Sequence, residues 1–275
     1  MTDHYAVIGN PIAHSKSPQI HAMFAKQTGQ DISYEAILAP LDGFAATVER
    51  LRKEGYKGCN VTVPFKLEAF HFASALSNRA IDAEAVNTLI FRDGKIIGDN
   101  TDGAGLVRDI QQSFGIALNN KRVLLVGAGG AAHGVLHPLL DVTSKLVIYN
   151  RSPEKAVSMA QSVRQHEKFR LVSVKASEFG ELEGQQFDVI INATSAGLTN
   201  SEIPLPPTIF APGALAYDMM YGRETSFMAF ARANGAAVVS DGLGMLVMQA
   251  AETFFLWRGV RPETAPVIAA LRAQQ

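Results

Sequence analysis

Lys66 has a residue type and a sequence setting that suit acid–base chemistry. It ends the segment N-V-T-V-P-F-K, which begins at Asn60. Because side chains alternate between the two faces of a strand, Asn60 and Thr62 are predicted to share one face and Val63 to lie on the other. Pro64 is predicted to end the strand and open a helix, since proline suits the first helical turn. Lys66 would then lie in that first turn.

A positive charge at this point opposes the helix dipole, which gives Lys66 two interpretations. In the first interpretation, Lys66 is an ordinary surface lysine whose aliphatic stem covers apolar neighbours. Alternatively, a lysine placed against the dipole and beside polar groups at a strand end is suited to exchange a proton with a ligand. The second interpretation makes Lys66 a candidate acid–base catalyst.

Two more polar clusters lie at predicted strand ends. In G-D-N-T-D-G, Asp102 alone would be interpreted as the N-cap of the next helix. In A-V-N-T, Asn87 alone would be interpreted as part of a turn into a strand. Ligands of α/β sheets bind at the carboxyl ends of strands, so the recurrence of such clusters favours a binding site.

Two serines precede an early predicted helix. Ser17 comes directly before Pro18 and is predicted to be the N-cap of that helix. Ser15 has no such structural role. Two hydroxyls beside a helix N-terminus would also hold a carboxylate, and this segment leaves both interpretations open.

A glycine-rich turn indicates a dinucleotide site. The strand R-V-L-L-V is followed by G-A-G-G-A-A and then by a helical run to Leu140. This is the G-x-G-x-x-A fingerprint in its required context, a strand before it and a helix after it. Its glycines allow a tight turn and let backbone N–H groups approach a pyrophosphate. The predicted contact residues are Gly127, Ala128, Gly129, Gly130 and Ala131.

The end of the next strand favours NADP over NAD. An NAD site places an acidic residue there to bond the ribose 2′-hydroxyl. This chain instead has Asn150 and Arg151, followed by Ser152 as predicted N-cap, Pro153 at the first helical position, and Lys155. Two cations beside a helix N-terminus suit a 2′-phosphate.

The sequence offers little for other chemistry. His133 and His137 lie four residues apart on a predicted helix, but with no third ligand nearby no metal site is expected. Cys59, the single cysteine, rules out an internal disulfide and favours buried packing in a reducing compartment.

Charge and hydrophobicity exclude several classes of protein. The 275 residues include 25 Lys and Arg against 26 Asp and Glu, so nothing draws the chain to nucleic acid or to an anionic membrane. The N-terminus lacks the features of a signal peptide, and the apolar tail from Gly244 to Trp257 is too short to span a bilayer. We therefore expect a cytoplasmic protein with a small-molecule substrate, as a monomer or a homodimer.

The pattern of apolar runs predicts an α/β fold. Before residue 100, short β-rich runs alternate with helical runs, and an Asp93-Gly94 pair predicts a tight hairpin. After Arg122, near-continuous apolar strands are typical of a parallel sheet covered on both faces. The predicted segments include a helix from Pro64 to Leu76, the strands R-L-V-S-V (170–174) and L-A-Y-D-M (215–219), and a buried helix from Met245 to Arg258.

Two domains are predicted from this pattern. Residues 1–102 would form an N-terminal α/β substrate-binding and catalytic lobe with a mixed sheet. Residues 103–244 would form a Rossmann-type, doubly wound parallel-sheet lobe for NADP. The C-terminal helices, residues 245–275, are expected to return to the first lobe.

The chain resembles the shikimate dehydrogenase family over essentially its whole length. The matching motifs stand in the family's order: S-K-S (15–17), N-V-T-V-P-F-K (60–66), A-V-N-T (85–88), G-D-N-T-D-G (98–103), G-A-G-G-A-A (127–132), N-R-S (150–152), N-A-T-S-A-G (192–197), Y-D-M-M-Y (217–221) and D-G-L-G-M-L-V-M-Q (241–249). The resemblance implies reversible reduction of 3-dehydroshikimate to shikimate with NADPH, on the route to aromatic amino acids.

The resemblance also implies roles for individual residues. Proton transfer would fall to Lys66 and Asp102. The substrate ligands would be Ser15, Ser17, Thr62, Asn87, Tyr221 and Gln249. The cofactor would contact the glycine loop together with Asn150, Arg151, Lys155, Thr194, Met219 and Gly242.

Two departures from the family pattern and two rival functions accompany this prediction. Asn78 stands where the family often has an acid, and Lys155 where an arginine is common. One rival is a quinate and shikimate dehydrogenase of broader range, often NAD-dependent. The other is a non-catalytic NADP-binding sensor on the same fold, against which the presence of Lys66 and Asp102 argues.

Overall fold

The computed structural model describes residues 2–194, 196 and 202–274. The chain divides into two compact units. The first comprises Met1–Gly105 with Leu246–Gln275, and the second comprises Leu106–Met245.

The first unit contains a mixed six-stranded sheet. Its strands are β1 (Asp3–Gly9), β2 (Ile32–Leu38), β3 (Gly58–Val61), β4 (Ala75–Leu76), β5 (Thr88–Arg92) and β6 (Lys95–Asp99). Their order is β2-β1-β3-β5-β6-β4, in which β5 runs antiparallel to both β3 and β6. Asp93 and Gly94 form the predicted two-residue turn between β5 and β6, and both have the positive φ that such a turn requires.

The register of this sheet gathers several polar positions at one edge. Asn60 on β3 faces Thr88 on β5, and Thr88 in turn faces Asp99 on β6. The carboxyl ends of β3 and β6 therefore meet the start of β5. This register brings together the residues that follow β3 and β6 and those that precede β5 at one edge of the sheet.

Among the described residues, five helices belong wholly to the first unit, and two more have residues in both units. The first group is α1 (Ser17–Thr28), α2 (Phe44–Lys53), α3 (Lys66–Phe72), α4 (Asn78–Ala83) and, near the C-terminus, α11 (Ala265–Arg272). The second group is α5 (Asp102–Ser113) and α10 (Leu243–Arg258).

The predicted helix from Pro64 to Leu76 was too long at both ends. It begins at Lys66 and ends at Phe72, and Ala75–Leu76 instead form β4 alongside β6. The preceding strand also stops earlier than predicted, at Val61. The N–H of Phe65 donates to the Thr62 carbonyl, which makes residues 62–65 a turn and leaves Val63 62% exposed.

Helix α10 packs onto the first sheet through its C-terminal part. The indole N–H of Trp257 donates to the Leu89 carbonyl, and Arg258 pairs with Asp3. Glu252 pairs with Arg79 and with Arg261, and it is almost fully buried. These contacts place the end of the chain on the first unit, as the apolar pattern predicts.

The second unit contains a parallel six-stranded sheet. Its strands are β7 (Val123–Val126), β8 (Lys145–Tyr149), β9 (Ser173–Ser177), β10 (Phe187–Asn192), β11 (Phe210–Asp218) and β12 (Val238–Ser240). The order β12-β11-β10-β7-β8-β9 is that of a Rossmann fold, with its topological switch point between β7 and β10. Helices α6 (Gly130–Leu140), α7 (Pro153–Gln165), α8 (Phe179–Leu182) and α9 (Ser226–Ala233) connect these strands.

Both faces of this sheet are buried, which explains its continuous apolar strands. Val123 and Leu125 lie in one hydrophobic cluster, whereas Leu124 and Val126 lie in another. The predicted strand over 170–174 was placed too early, because Leu171 is fully exposed in a turn and β9 begins at Ser173. Among the residues that the structure describes, no helix is long and apolar enough to cross a membrane.

Candidate active site

Lys66 and Asp102 form an ion pair in the first unit. The Lys66 Nζ donates to Asp102 Oδ2 over 2.5 Å. Each is the first residue of its helix, α3 and α5 respectively. The two side chains are 31% and 18% exposed, so the pair remains within reach of a ligand. The structure thus joins two residues that are 36 positions apart in sequence.

Asp102 is the first residue of α5 rather than a residue before it, which departs from the N-cap interpretation. Its N–H donates to Asn100 Oδ1 over 3.0 Å. Its carboxylate is used for two side-chain contacts: Oδ2 accepts from Lys66, and Oδ1 accepts from Asn87 Nδ2 over 2.9 Å. Asp102 therefore connects the lysine to a buried amide.

Asn87 is that amide, and it also contacts Gln249. Its Nδ2 lies 3.4 Å from Gln249 Oε1, and Thr101 Oγ1 lies 3.3 Å from the same oxygen. Gln249 Nε2 donates to the Leu246 carbonyl within α10, which fixes the direction of its amide. Lys66, Asp102, Asn87 and Gln249 are thus one connected group.

The predicted hydroxyl ligands of the first unit lie after β1, at the start of α1, and directly after β3. Helix α1 begins at Ser17, so Lys16, and not Ser17, occupies the N-cap position. Ser15 Oγ accepts from the Ser17 N–H over 3.3 Å, which gives Ser15 the structural role that the sequence suggested for its neighbour. Thr62 directly follows β3, and a Cβ on Gly9 would lie 2.5 Å from its Cγ2. Gly9 therefore allows the end of β1 to approach Thr62.

Tyr221 lies in the second unit, after β11. It is half-buried, and burial raises the pKa of its hydroxyl above the ordinary value. Its role as a substrate ligand stays a prediction.

Two buried or half-buried polar residues of the first unit, Tyr34 and Thr253, were missed by the sequence analysis. Tyr34 donates from its hydroxyl to Asn60 Oδ1 over 2.8 Å, and Asn60 Nδ2 donates to the Asn87 carbonyl over 3.0 Å. The hydroxyls of Thr88 and Thr253 lie 2.8 Å apart, and both threonines are fully buried. One signal was available for Thr253, because it follows Gln249 by four positions and so lies on the same face of α10.

The glycine loop of the second unit has the backbone that the fingerprint predicts. Gly127 follows β7 with φ +114°, a conformation that side chains disfavour, and its Cβ would lie 3.1 Å from the Ala193 carbonyl. Ala128 N–H donates to Asn150 Oδ1 over 3.2 Å. A Cβ on Gly129 or Gly130 would meet no described atom within 4 Å, which leaves the start of α6 open to a ligand. Since the first N–H groups of a helix have no partner within it, this loop fits a pyrophosphate.

The end of β8 lies beside this loop. Asn150 Nδ2 donates to the Ser152 carbonyl over 3.0 Å, so Asn150 joins the glycine loop to the start of α7. Ser152 is the N-cap and Pro153 the first helical residue, as predicted. Arg151 and Lys155 are exposed around this helix start, and their contact with a 2′-phosphate stays a prediction.

The remaining predicted cofactor residues lie after β10, β11 and β12. Thr194 Cγ2 lies against Gly127, and the Thr194 hydroxyl donates to Asn192 Oδ1 over 2.8 Å. A Cβ on Gly242 would overlap the Met219 carbonyl oxygen, so Gly242 is what permits these two segments to touch. The N-A-T-S-A-G motif is described only in part, because Ser195 and Gly197 lie outside the described residues.

Neither histidine of the α6 pair joins a larger group of ligands. Over residues 2–194, 196 and 202–274, no three His, Cys, Asp or Glu side chains are grouped to hold a metal ion.

Three family models match the chain. They are the shikimate dehydrogenase substrate binding domain over residues 7–89, shikimate / quinate 5-dehydrogenase over residues 108–200, and the shikimate 5′-dehydrogenase C-terminal domain over residues 242–272. The chain belongs to the shikimate dehydrogenase family.

Full-length relatives agree with this assignment. Shikimate dehydrogenase (NADP(+)) from Methylobacillus flagellatus is 60% identical over 98% of this chain and 99% of its own length. The enzyme of the same name from Nitrosospira multiformis is 58% identical over 99% of this chain and 98% of its own length.

Solved structures share the fold. An Ael1 enzyme from Pseudomonas putida is 49% identical with a TM-score of 0.92, and 98% of each chain is covered. Shikimate 5-dehydrogenase from Thermus thermophilus, in complex with NADP(H) and shikimate, is 31% identical with a TM-score of 0.86 over the whole of both chains.

The structure shows where the two residues that depart from the shikimate dehydrogenase pattern lie. Asn78 is exposed at the start of α4, next to Arg79, whose guanidinium pairs with Asp99 and Glu252. Lys155 is exposed in the first turn of α7. Both departures lie outside the hydrogen-bonded group around Lys66 and Asp102.

Proposed function

We propose that this chain catalyses the reversible, NADP-dependent interconversion of 3-dehydroshikimate and shikimate. Family membership and relatives at about 60% identity over full length support this activity. The observation that carries the mechanism is the ion pair between Lys66 and Asp102.

In this mechanism Lys66 exchanges the proton at the reacting oxygen. When 3-dehydroshikimate is reduced, its carbonyl oxygen must gain a proton, and the Lys66 ammonium supplies it. NADPH, when bound, supplies the hydride that the carbonyl carbon receives. In the reverse direction Lys66 accepts the proton of the hydroxyl. Asp102 holds Nζ in place and stabilises its charge through the 2.5 Å contact.

The substrate is held by the polar groups around this pair. We assign Asn87 and Gln249, which are hydrogen-bonded neighbours of Asp102 and Thr101, to the ring hydroxyls. Ser15 and Ser17, at the start of α1, are assigned to the carboxylate. Thr62 and Tyr221 complete the proposed set of ligands.

NADP is the cofactor. We propose that its pyrophosphate binds the Gly127–Ala131 loop, since Gly127 adopts the required turn and Gly129 and Gly130 leave the approach open. Asn150, Arg151 and Lys155 would surround the adenosine end, with the two cations on the 2′-phosphate. Thr194, Met219 and Gly242, after three neighbouring strands, would contact the nicotinamide end.

The two units divide this work in our proposal. The first unit, Met1–Gly105 with Leu246–Gln275, converts the substrate and supplies its proposed ligands apart from Tyr221, and the second unit, Leu106–Met245, binds NADP. All of the proposed site residues lie on one chain, which is compatible with a monomer or a homodimer. We place the reaction in the cytoplasm, where NADPH is supplied.

A second candidate concerns the breadth of the substrate range. The model matched over residues 108–200 is described as shikimate / quinate 5-dehydrogenase. Moreover, a 5-ketofructose reductase from Gluconobacter is 25% identical with a TM-score of 0.86, so related folds carry other activities. Quinate differs from shikimate at the ring. Small differences in the binding pocket decide whether an enzyme accepts both substrates.

A direct assay tests the proposal. The purified chain is mixed with shikimate or quinate and with NADP⁺ or NAD⁺, and the absorbance of the reduced nicotinamide is followed. We expect the highest kcat/KM with shikimate and NADP⁺. No turnover in any combination, with NADP binding retained, would favour the sensor function, whereas equal kcat/KM for quinate would favour the broader enzyme.

A further inference from the structure

The side-chain amide of Asn87 has a single orientation that its neighbours determine. Its Oδ1 accepts from the Thr101 backbone N–H over 2.9 Å. A backbone N–H only donates, so the atom facing it must be the oxygen. The nitrogen Nδ2 therefore faces Asp102 Oδ1 at 2.9 Å and Gln249 Oε1 at 3.4 Å, both of them acceptors.

Two threonine hydroxyls reinforce this orientation. Thr88 Oγ1 donates to Asn87 Oδ1 over 2.9 Å. Thr101 Oγ1 accepts from Asn87 Nδ2 over 2.9 Å and also lies 3.2 Å from Asn87 Oδ1. Both threonines are fully buried, where a missing hydrogen-bond partner is costly. Thr88 thus holds the oxygen end of the amide, and Thr101 contacts the amide through both its backbone N–H and its hydroxyl.

We propose that Thr88 and Thr101 are positioning residues for the Lys66–Asp102 pair, acting through Asn87. The inference rests on the proposed function. If the Asn87 amide turned over, its oxygen would face Asp102 Oδ1, and two acceptors would repel each other. The carboxylate that holds Lys66 Nζ would then move away from its 2.5 Å contact. Small displacements of a catalytic group lower the reaction rate strongly.

Thr253 on α10 supplies a matched control for this inference. It is fully buried like the other two, and its hydroxyl lies 2.8 Å from Thr88 Oγ1 and 3.2 Å from Thr101 Oγ1. The Thr88 hydroxyl has one proton and two acceptors within reach, Thr253 Oγ1 and Asn87 Oδ1. Removing the Thr253 hydroxyl leaves Asn87 Oδ1 as the acceptor, so the amide should keep its orientation.

The experiment compares the full-length wild type with Thr88→Val, Thr88→Ser and Thr253→Val. The measurements are kcat and KM for shikimate at saturating NADP⁺, the Kd of NADP⁺ and the thermal midpoint. Loss of one buried hydrogen bond should lower the kcat of Thr88→Val about tenfold. The Kd of NADP⁺ should not change, and Thr88→Ser should restore most of the rate. Thr253→Val should lose similar thermal stability while its kcat stays within about twofold of wild type.

Equal losses of kcat in Thr88→Val and Thr253→Val would overturn the positioning role, because the effect would then follow from stability alone. Failure of Thr88→Ser to restore the rate would overturn it too. If Thr88→Val does not fold, Thr101→Val is used, and a kcat like that of wild type would contradict the inference. An inactive wild-type chain would instead overturn the proposed function, and the inference with it.

Discussion

In the first unit the predicted site consists of side chains that are hydrogen-bonded to one another. In the second unit it consists largely of backbone groups of the glycine loop. Lys66, Asp102 and Asn87 are joined by hydrogen bonds of 2.5 and 2.9 Å. The second unit instead offers a loop that Gly127 bends and that Gly129 and Gly130 leave uncovered. Chemistry at one oxygen needs particular functional groups, but a pyrophosphate needs only N–H groups that it can approach.

The difference predicts that substitutions in the two units will affect different quantities. Changes in the first unit should lower turnover and leave NADP binding intact. Changes in the second should weaken NADP binding, and turnover should recover at saturating cofactor.

Lys66→Ala should have the largest effect. General acid–base groups typically contribute ~10²–10⁴-fold in rate, so we expect kcat to fall at least about a hundredfold. The KM for shikimate should change much less, as should the Kd of NADP⁺ from fluorescence titration. Lys57→Ala is the control, since Lys57 is an exposed lysine at the opposite end of β3. Near-normal turnover with weak shikimate binding would make Lys66 a substrate anchor.

Gly127→Ala should affect mainly the cofactor. A side chain at φ +114° is strained, and its Cβ would crowd the Ala193 carbonyl, so the loop must shift. We expect the Kd of NADP⁺ to rise about tenfold, since backbone strain of this kind costs about 1–3 kcal/mol. Gly184→Ala serves as the control, because Gly184 also has positive φ but lies in a turn after α8. Equal Kd values for the two variants would mean that the loop does not bind the pyrophosphate.

Arg151→Ala should separate the two cofactors. Loss of a charge-assisted contact to the 2′-phosphate should raise the KM for NADP⁺ about five- to tenfold and leave that for NAD⁺ nearly unchanged. The measurement is initial rate against cofactor concentration at fixed shikimate. Arg170, an exposed arginine of the same unit, provides the control variant Arg170→Ala. The same increase in KM for NADP⁺ and NAD⁺ would contradict the assignment of Arg151 to the 2′-phosphate.

His21→Phe should change how the unfolding free energy depends on pH, and it should not change the binding of NADP. His21 is fully buried, stacks on Tyr34 with ring centroids 4.1 Å apart, and has no hydrogen-bond partner for either ring nitrogen among the described residues. Burial lowers the pKa of His21 from 6.5 to about 3. In the unfolded chain this histidine binds a proton below pH 6.5, but in the folded chain it does not.

The unfolding free energy should therefore fall as pH falls from 6.5 towards 3, by up to about 1.4 kcal/mol per pH unit from this residue. Denaturant unfolding of wild type and His21→Phe at several pH values checks this. We expect a smaller slope for the variant. Parallel curves would show that His21 is not buried in its neutral form.

Local patterns predicted the second unit well, because the features that define it are local. The glycine loop, the missing acid after β8 and the cap at Ser152 each depend on residues that adjoin in sequence. The hairpin at Asp93 and Gly94 was predicted for the same reason.

The first unit was harder to predict, because its contacts join distant residues. Thr88 and Thr253 are 165 positions apart, and no local pattern pairs them. Ser15 rather than Ser17 supports the start of α1, and β3 ends at Val61 because residues 62–65 turn back on themselves. Lys66 was a candidate acid–base residue from its sequence setting, whereas the role of Asp102 came from the family resemblance, and the ion pair between them became visible only in the structure.

The double variant of Lys66→Ala with Asp102→Asn tests most directly whether these two residues act as one unit. The kcat of wild type, both single variants and the double variant is measured at saturating shikimate and NADP⁺. Residues that act together are not additive, so the double variant should be little slower than the slower single variant. If the two single losses multiply in the double variant, Lys66 and Asp102 act independently, and the proposed support of proton transfer by Lys66 through its ion pair with Asp102 is contradicted.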